Sequence, residues 1–364
     1  MKEAKKAITD PTKQTDIKGR VYFTTGHTLL DLVVGGGEGL GYGMGYASGT
    51  ILRDHGDSGS AKSFKAAELV AANYYKYKDK FKWRYVDVEH GSTLDTQFLY
   101  GFNMFPEIKN DFEVVTVEDW DYDLNAWLDT LHPENGDVGI YVLDSLDALS
   151  DEDTEERKEK RRKIIGKGGN FDEGTYSMNS QKFLSQEFFR ALASKLEKKN
   201  AILFVISQER DNVGAGMYGK KNRQTGGRAK EFYETVRISS KVKQFIGAKD
   251  RPVSTLLEIT GEKTRHPRPF RKTLLTIHFM AGVDSVADEV DFLFDLRTAD
   301  RAELKKCSDS IVWEDGMPPM DRDSLIKWVR ENKKKKELKE RVIAKWEGIE
   351  KAIEVVIPNK YADD

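Results

Sequence analysis

The stretch Gly56-Asp57-Ser58-Gly59-Ser60-Ala61-Lys62-Ser63, with Phe64 behind it, sets small residues ahead of a lysine and a serine. Small side chains let backbone N–H groups crowd around a phosphate, the Lys62 ammonium can reach β- and γ-oxygens, and the Ser63 hydroxyl can ligate Mg²⁺. An apolar run precedes the stretch and an Ala-, Leu- and Val-rich one follows it, the strand and helix between which a phosphate-binding loop sits. Ala61 stands where that pattern has glycine, and it fits if its backbone keeps φ below zero, as in the first residues of a helix. The plain alternative is a Gly/Ser turn that opens a helix.

Three further apolar runs end in polar side chains. The run from Val138 ends in Asp144-Ser145, and a carboxylate delivered to the C-terminal edge of a parallel sheet is placed to hold Mg²⁺ through water. The run from Trp83 ends in Glu89-His90, and a carboxylate beside a γ-phosphate can orient and polarise the attacking water. The run from Ile202 ends in Ser207-Gln208, whose amide can hydrogen-bond a γ-phosphate and report its loss. Each acid taken alone could equally be a solvated strand cap. Three strand-end polar sites in this order behind a phosphate loop point to one nucleotide crevice.

The elements that would carry these residues alternate in texture. Strands are expected at 49–52, 84–88, 114–117, 138–143 and 201–206, where short apolar runs read as buried. A helix is expected at 179–199, where Leu184, Phe188, Leu192 and Leu196 recur every four residues. Such alternation predicts βαβ units and a mostly parallel, twisted sheet, hence an α/β fold. Extended segments at 236–245, 254–259 and 273–280 suggest an antiparallel extension. A basic amphipathic helix is expected at about 321–350, within a small C-terminal α+β domain. The expected organisation is a flexible arm at 1–20, a core at 21–284 and the C-terminal domain at 285–364.

The 364 residues suffice for such a core, and 59 basic against 61 acidic side chains, a net charge of −2, describe a well-hydrated protein rather than a polycation. Nucleic-acid contacts must therefore come from local clusters of Lys and Arg. The single cysteine, Cys307, excludes an internal disulfide and a cysteine metal cage, and is read as an inert thiol. The sequence has no run of about 18 apolar residues and no apolar leader, so a cytoplasmic protein without membrane partners is expected.

These motifs, in their order, resemble the RecA family of recombinases from about Thr25 to Lys351. Thr25-Gly26 with Leu30-Asp31 is similar to the family's entry motif, followed here by a Gly-rich insertion from Gly35 to Tyr46. The resemblance implies an ATP-binding site in which Glu89 activates water, Leu94-Asp95 and Phe98 contact adenine with Phe98 stacked on it, and Asp144 and Ser63 serve Mg²⁺. It implies that Gln208 couples the γ-phosphate to a DNA-binding loop at 209–228, carrying Arg210, Met217, Tyr218, Lys220, Lys221, Arg223, Gly226, Gly227 and Arg228. Basic groups there would neutralise phosphates while apolar tips separate bases; a solvated charged loop is the plain alternative. A first DNA loop is expected at 151–178, longer and more charged than in bacterial members and similar to phage-encoded relatives.

By the same resemblance, Phe232-Tyr233 with Arg237 forms a subunit interface, and Lys263 and Arg265 reach the neighbour's ATP in a helical filament. Trp313 and Leu325 to Trp328 are similar to the family's C-terminal domain, though an ordinary basic surface helix remains open there. The implied function is homologous pairing and strand exchange on single-stranded and duplex DNA with DNA-stimulated ATP hydrolysis. The rivals are a hexameric motor of the same fold, such as a helicase, and a DNA-binding scaffold in which Ala61 has abolished hydrolysis.

Overall fold

The computed structural model describes residues 20–57, 59–91, 94–105, 113–150, 163, 188–211, 222–224, 234–248, 250–299, 303 and 311–354. The expected arm apart from Arg20, the expected first DNA loop apart from Lys163, and Cys307 lie outside them. In chain order the described strands and α-helices are β1 (Tyr22–Phe23), α1 (Thr28–Gly35), β2 (Tyr46–Ala47), β3 (Ile51–Gly56), α2 (Lys62–Tyr77), β4 (Phe81–Asp87), α3 (Thr96–Tyr100), α4 (Val117–Asp129) and β5 (Val138–Asp144). They continue with α5 (Phe188–Lys198), β6 (Ala201–Asp211), β7 (Asn222–Gln224), β8 (Val236–Ala248), β9 (Arg251–Lys263), β10 (Arg271–His278), β11 (Gly282–Val283), α6 (Ser285–Leu293), α7 (Arg322–Glu331) and α8 (Lys335–Ala352). The chain divides into two compact units, Ser48–Ile238 and a second made of Met1–Ala47 with Ser239–Asp364.

In the unit Ser48–Ile238, β3, β6, β5 and β4 lie side by side in that order, every pair parallel. Each parallel step needs a crossover, and α2, α4 and α5 stand in the three intervals. Every residue of β3 and of β5 is buried, as expected of strands covered on both faces. On one face Val117, Trp120, Leu124 and Leu128 of α4 and Leu192 and Leu196 of α5 close over Tyr141, Leu143, Leu203 and Val205. The opposite face of β4 and β5 meets α2.

The run at 114–117 is not a strand. Only Thr116 makes a bridge, to Ser150, because Thr116 and Asp119 form a capping box that starts α4 at Val117. Reciprocal satisfaction of helix-end N–H groups outweighs the strand preference of three valines.

In the other unit, β11, β10, β9 and β8 run in that order, with β10 antiparallel to both β9 and β11. Helices α1, α6 and α8 pack together, and α1 and α6 also lie against β10. Asp31 of α1, buried, accepts hydrogen bonds of 2.6 Å from the Thr24 hydroxyl and from the Thr25 N–H. The Gly-rich insertion docks on α8: Gly39 N–H donates to Glu347 Oε1 at 2.7 Å, and a Cβ on Gly39 would fall 2.0 Å from Glu347 Oε2. Close approach of the backbone to that carboxylate is what glycine permits there.

The single C-terminal helix expected at about 321–350 is two helices. After Glu331 the backbone turns, with Lys333 at φ 56°, and restarts at Lys335. Leu325 and Val329 of α7 and Leu338 and Val342 of α8 are buried, so the turn lets both helices present an apolar stripe. Among the described residues no helix is long and apolar enough to cross a membrane.

Candidate active site

Parallel strands deliver their last residues to one edge of a sheet. Here Gly56 at the end of β3 is the register partner of Gln208 on β6, and Asp87 at the end of β4 is the partner of Asp144 at the end of β5. The edge therefore collects the loop that follows Gly56, the backbone of Gln208, and the carboxylates Asp87 and Asp144.

The loop is held by its own atoms. Ser60, fully buried, donates to the Asp57 carbonyl through both its N–H (3.2 Å) and its hydroxyl (2.7 Å). Lys62 turns its ammonium back to Gly56 O (2.9 Å), Asp57 O (2.9 Å) and Ser60 Oγ (3.3 Å). A phosphate oxygen bound in this loop would exchange with those acceptors. Gly59 takes φ 79° with open space where a Cβ would be. Ser58 lies outside the described residues.

Ala61 corrects the expectation of a negative φ. It sits at φ 54°, ψ 37°, in the left-handed region, as the residue before α2. An L-residue there brings its Cβ close to the following carbonyl at about 1–2 kcal/mol. The glycine of the general pattern therefore answers a real backbone demand, and alanine meets it under strain.

The first turn of α2 brings Ser63 over the sheet edge, its hydroxyl beside the Asp144 carboxylate. Asp144 is 7% exposed. Burial pushes its carboxyl above the usual range, the bonds from Ser63 and Tyr85 pull it down, and Asp87 and Glu89 push it up again. The Asp144–Ser145 peptide is cis, and Ser145 Oγ donates to Glu89 Oε1 at 2.5 Å. Val88 N–H bonds Asp144 O at 2.7 Å, so β4 and β5 hold Glu89 beside Asp144. Lys62, Ser63, Glu89 and Asp144 thus belong to one edge of one unit.

The other expected site residues divide. Phe64 is a buried residue of α2, 9% exposed. Asp95 caps α3, accepting from Phe98 N–H at 2.9 Å, and the Phe98 ring is 64% exposed. Arg210 and Arg223 are register partners of the β6–β7 pair. Met217, Tyr218, Lys220, Lys221, Gly226, Gly227, Arg228 and Phe232 lie outside the described residues. Arg237 ion-pairs within the chain, to Glu234 at 2.9 Å, and Glu234 also meets Arg53 of β3 at 2.7 Å. Lys263, the last residue of β9, and Arg265 beyond it belong to the other unit.

Sequence reasoning missed Tyr85, whose hydroxyl donates to Asp144 Oδ2 at 3.0 Å, and Asp87. Their signal was the two-residue spacing Tyr85-x-Asp87, which puts both on one strand face. It also missed the buried Lys65–Asp54 pair at 2.6 Å, which ties α2 to β3; burial holds the Lys65 ammonium below its usual range.

Among the described residues no three His, Cys, Asp or Glu side chains form a cage that could hold a metal alone. The hard oxygens of Ser63 and Asp144, meeting beside a phosphate loop, suit Mg²⁺, which takes one or two protein oxygens and completes its shell with phosphate and water.

A mostly parallel strand–loop–helix core with these residues at its carboxyl edge defines an α/β protein of the phosphate-loop class. The RecA N-terminal domain family matches residues 5–284. Similar proteins include "Protein RecA" of Caulobacter vibrioides, 28% identical over 279 residues that cover 75% of this chain and 69% of that protein. "Protein RecA" of Clostridioides difficile is 24% identical over 309 residues, 85% of this chain and 78% of that one. The crystal structure of the RadB recombinase aligns with a TM-score of 0.44 at 16% identity, over 72% of this chain and 98% of that one. The chain belongs to the RecA family.

Proposed function

We propose that this RecA-family chain is an ATP-dependent recombination protein that works in the cytoplasm. It assembles as a helical filament on single-stranded DNA, pairs it with homologous duplex and exchanges strands while hydrolysing ATP. The observation that carries this reading is the meeting of Lys62, Ser63, Glu89 and Asp144 at the carboxyl edge of parallel strands, with Gln208 in register with Gly56.

In this reading the loop 56–63 cradles the phosphates with its N–H groups and Lys62 exchanges its carbonyl contacts for β- and γ-oxygens. Phe98 stacks on the adenine and Asp95 borders it. Ser63 directly, and Asp144 through water, would hold Mg²⁺, which when bound neutralises charge on the transferring phosphoryl group. Glu89 accepts a proton from the attacking water, and hydrolysis cleaves the bond between the γ-phosphorus and the β–γ bridging oxygen, leaving ADP and inorganic phosphate. Gln208 senses the γ-phosphate and passes its presence to the loop 209–228, whose basic side chains grip DNA together with the loop 151–178. Phe232 and Arg237 contribute to the subunit interface, and Lys263 and Arg265 reach the neighbouring protomer's ATP, so assembly and hydrolysis are coupled.

ATP hydrolysis with and without single-stranded DNA tests this. Single-stranded DNA is expected to stimulate the parent, Lys62→Ala to lose nucleotide binding, and Glu89→Gln to bind nucleotide normally with kcat lowered about 100-fold or more. The left-handed Ala61 favours one second reading, a filament that binds nucleotide and DNA without useful hydrolysis. A parent with nucleotide-dependent DNA binding and no DNA-stimulated turnover supports that reading and contradicts the first.

A further inference from the structure

Within the nucleotide site proposed above, on which this inference rests, one buried hydroxyl has no role in packing. Tyr85 lies on β4 two residues before Asp87, on the face that α2 covers. The residue is 7% exposed, and its ring stands edge-on to Phe105 with centroids 4.8 Å apart. A ring without the hydroxyl would fill the same space. What the oxygen adds is a bond of 3.0 Å to Asp144 Oδ2, formed beside the Ser63 hydroxyl.

A carboxylate on a short side chain can turn about its terminal torsion, which is broad. A donor fixed to a strand and wedged against an aromatic ring removes that freedom. Once Asp144 is pinned, it is a fixed acceptor for the Ser63 proton, and the direction of that proton decides where the lone pairs of Ser63 point. Groups that orient a metal ligand in this way govern metal affinity without touching the metal.

We propose that Tyr85 is a positioning residue for the metal: it pins one oxygen of Asp144, and through Asp144 it aims the Ser63 hydroxyl, so that Ser63 presents its oxygen to the Mg²⁺ of the nucleotide and Asp144 presents its own to the water on that metal. The hydroxyl, not the ring, carries this role.

The full chain with Tyr85→Phe, Tyr85→Leu and Asp144→Asn tests it. Affinity for Mn²⁺ in the presence of ADP is read by electron paramagnetic resonance, affinity for ADP in EDTA by fluorescence, and folding by the melting midpoint. Tyr85→Phe is expected to weaken Mn²⁺ binding about tenfold while ADP affinity in EDTA and the midpoint stay at parent values. Tyr85→Leu is expected to match it in metal affinity and to melt earlier. Parent-like Mn²⁺ affinity in Tyr85→Phe, with Asp144→Asn impaired, would overturn the inference and leave the site standing. Parent-like Mn²⁺ affinity in Asp144→Asn as well would overturn the metal site itself.

Discussion

Ala61 holds φ at 54° where the chain passes from the turn of Gly59 and Ser60 into the first turn of α2. Replacing it with glycine removes about 1–2 kcal/mol of left-handed strain and returns about 0.4–1 kcal/mol through the freer unfolded chain. Ala61→Gly is therefore expected to raise the melting midpoint by about 1–3 °C, and a lower midpoint would show that the residue does not sit in that conformation. The residue types of this site were legible in the sequence, because lysine, serine and carboxylates after apolar runs declare their chemistry. The conformation of Ala61 was not, since an alanine before a helix reads as ordinary helical backbone until the turn of Gly59 and Ser60 is known. Tyr85 was passed over for a related reason: a tyrosine in a buried strand reads as core, and its spacing from Asp87 gains meaning once Asp87 is set in register with Asp144.

At the scale of elements, the parallel sheet works as a jig whose edge is only as well placed as its packing. Gly139 near the start of β5 lets α4 and the turn after it lie close: a Cβ there would come within 2.8 Å of Trp127 and 2.9 Å of Leu131. Gly139→Ala is expected to cost about 1–3 kcal/mol by overpacking, read as a lower melting midpoint, and an unchanged midpoint would contradict the described fit of α4 on β5. The apolar runs marked where β3, β4, β5 and β6 lie, and the fully buried apolar β5 was legible almost to its ends, whereas β3 continues through Arg53, Asp54 and His55 and β6 runs on to Asp211, where polar side chains hide the strand. The false strand at 114–117 came from weighing β-branched residues above Thr116 and Asp119, although that capping pair was itself in the sequence. The break in the C-terminal helix left no glycine or proline to mark it. It follows from two apolar stripes that must both be buried, which only the surrounding helices reveal.

For the whole molecule, near balance of 59 basic and 61 acidic side chains gives little long-range pull on a phosphate backbone, so the proposed grip on DNA would have to be local. The stretch expected to grip follows Gln208, the residue in register with Gly56 of the phosphate loop, and its β6–β7 arm brings the backbones of Arg210 and Arg223 together. How the rest of that stretch folds was not legible, because its residues show charge without periodicity. The central claim is that the terminal phosphate of the nucleotide sets the strength of the DNA grip. The direct measurement is fluorescence anisotropy of a labelled single-stranded oligonucleotide titrated with the protein at fixed salt, with a non-hydrolysable ATP analogue, with ADP, or with no nucleotide. The account predicts binding about tenfold or more tighter with the ATP analogue than in the other two states; equal affinity in all three would contradict it.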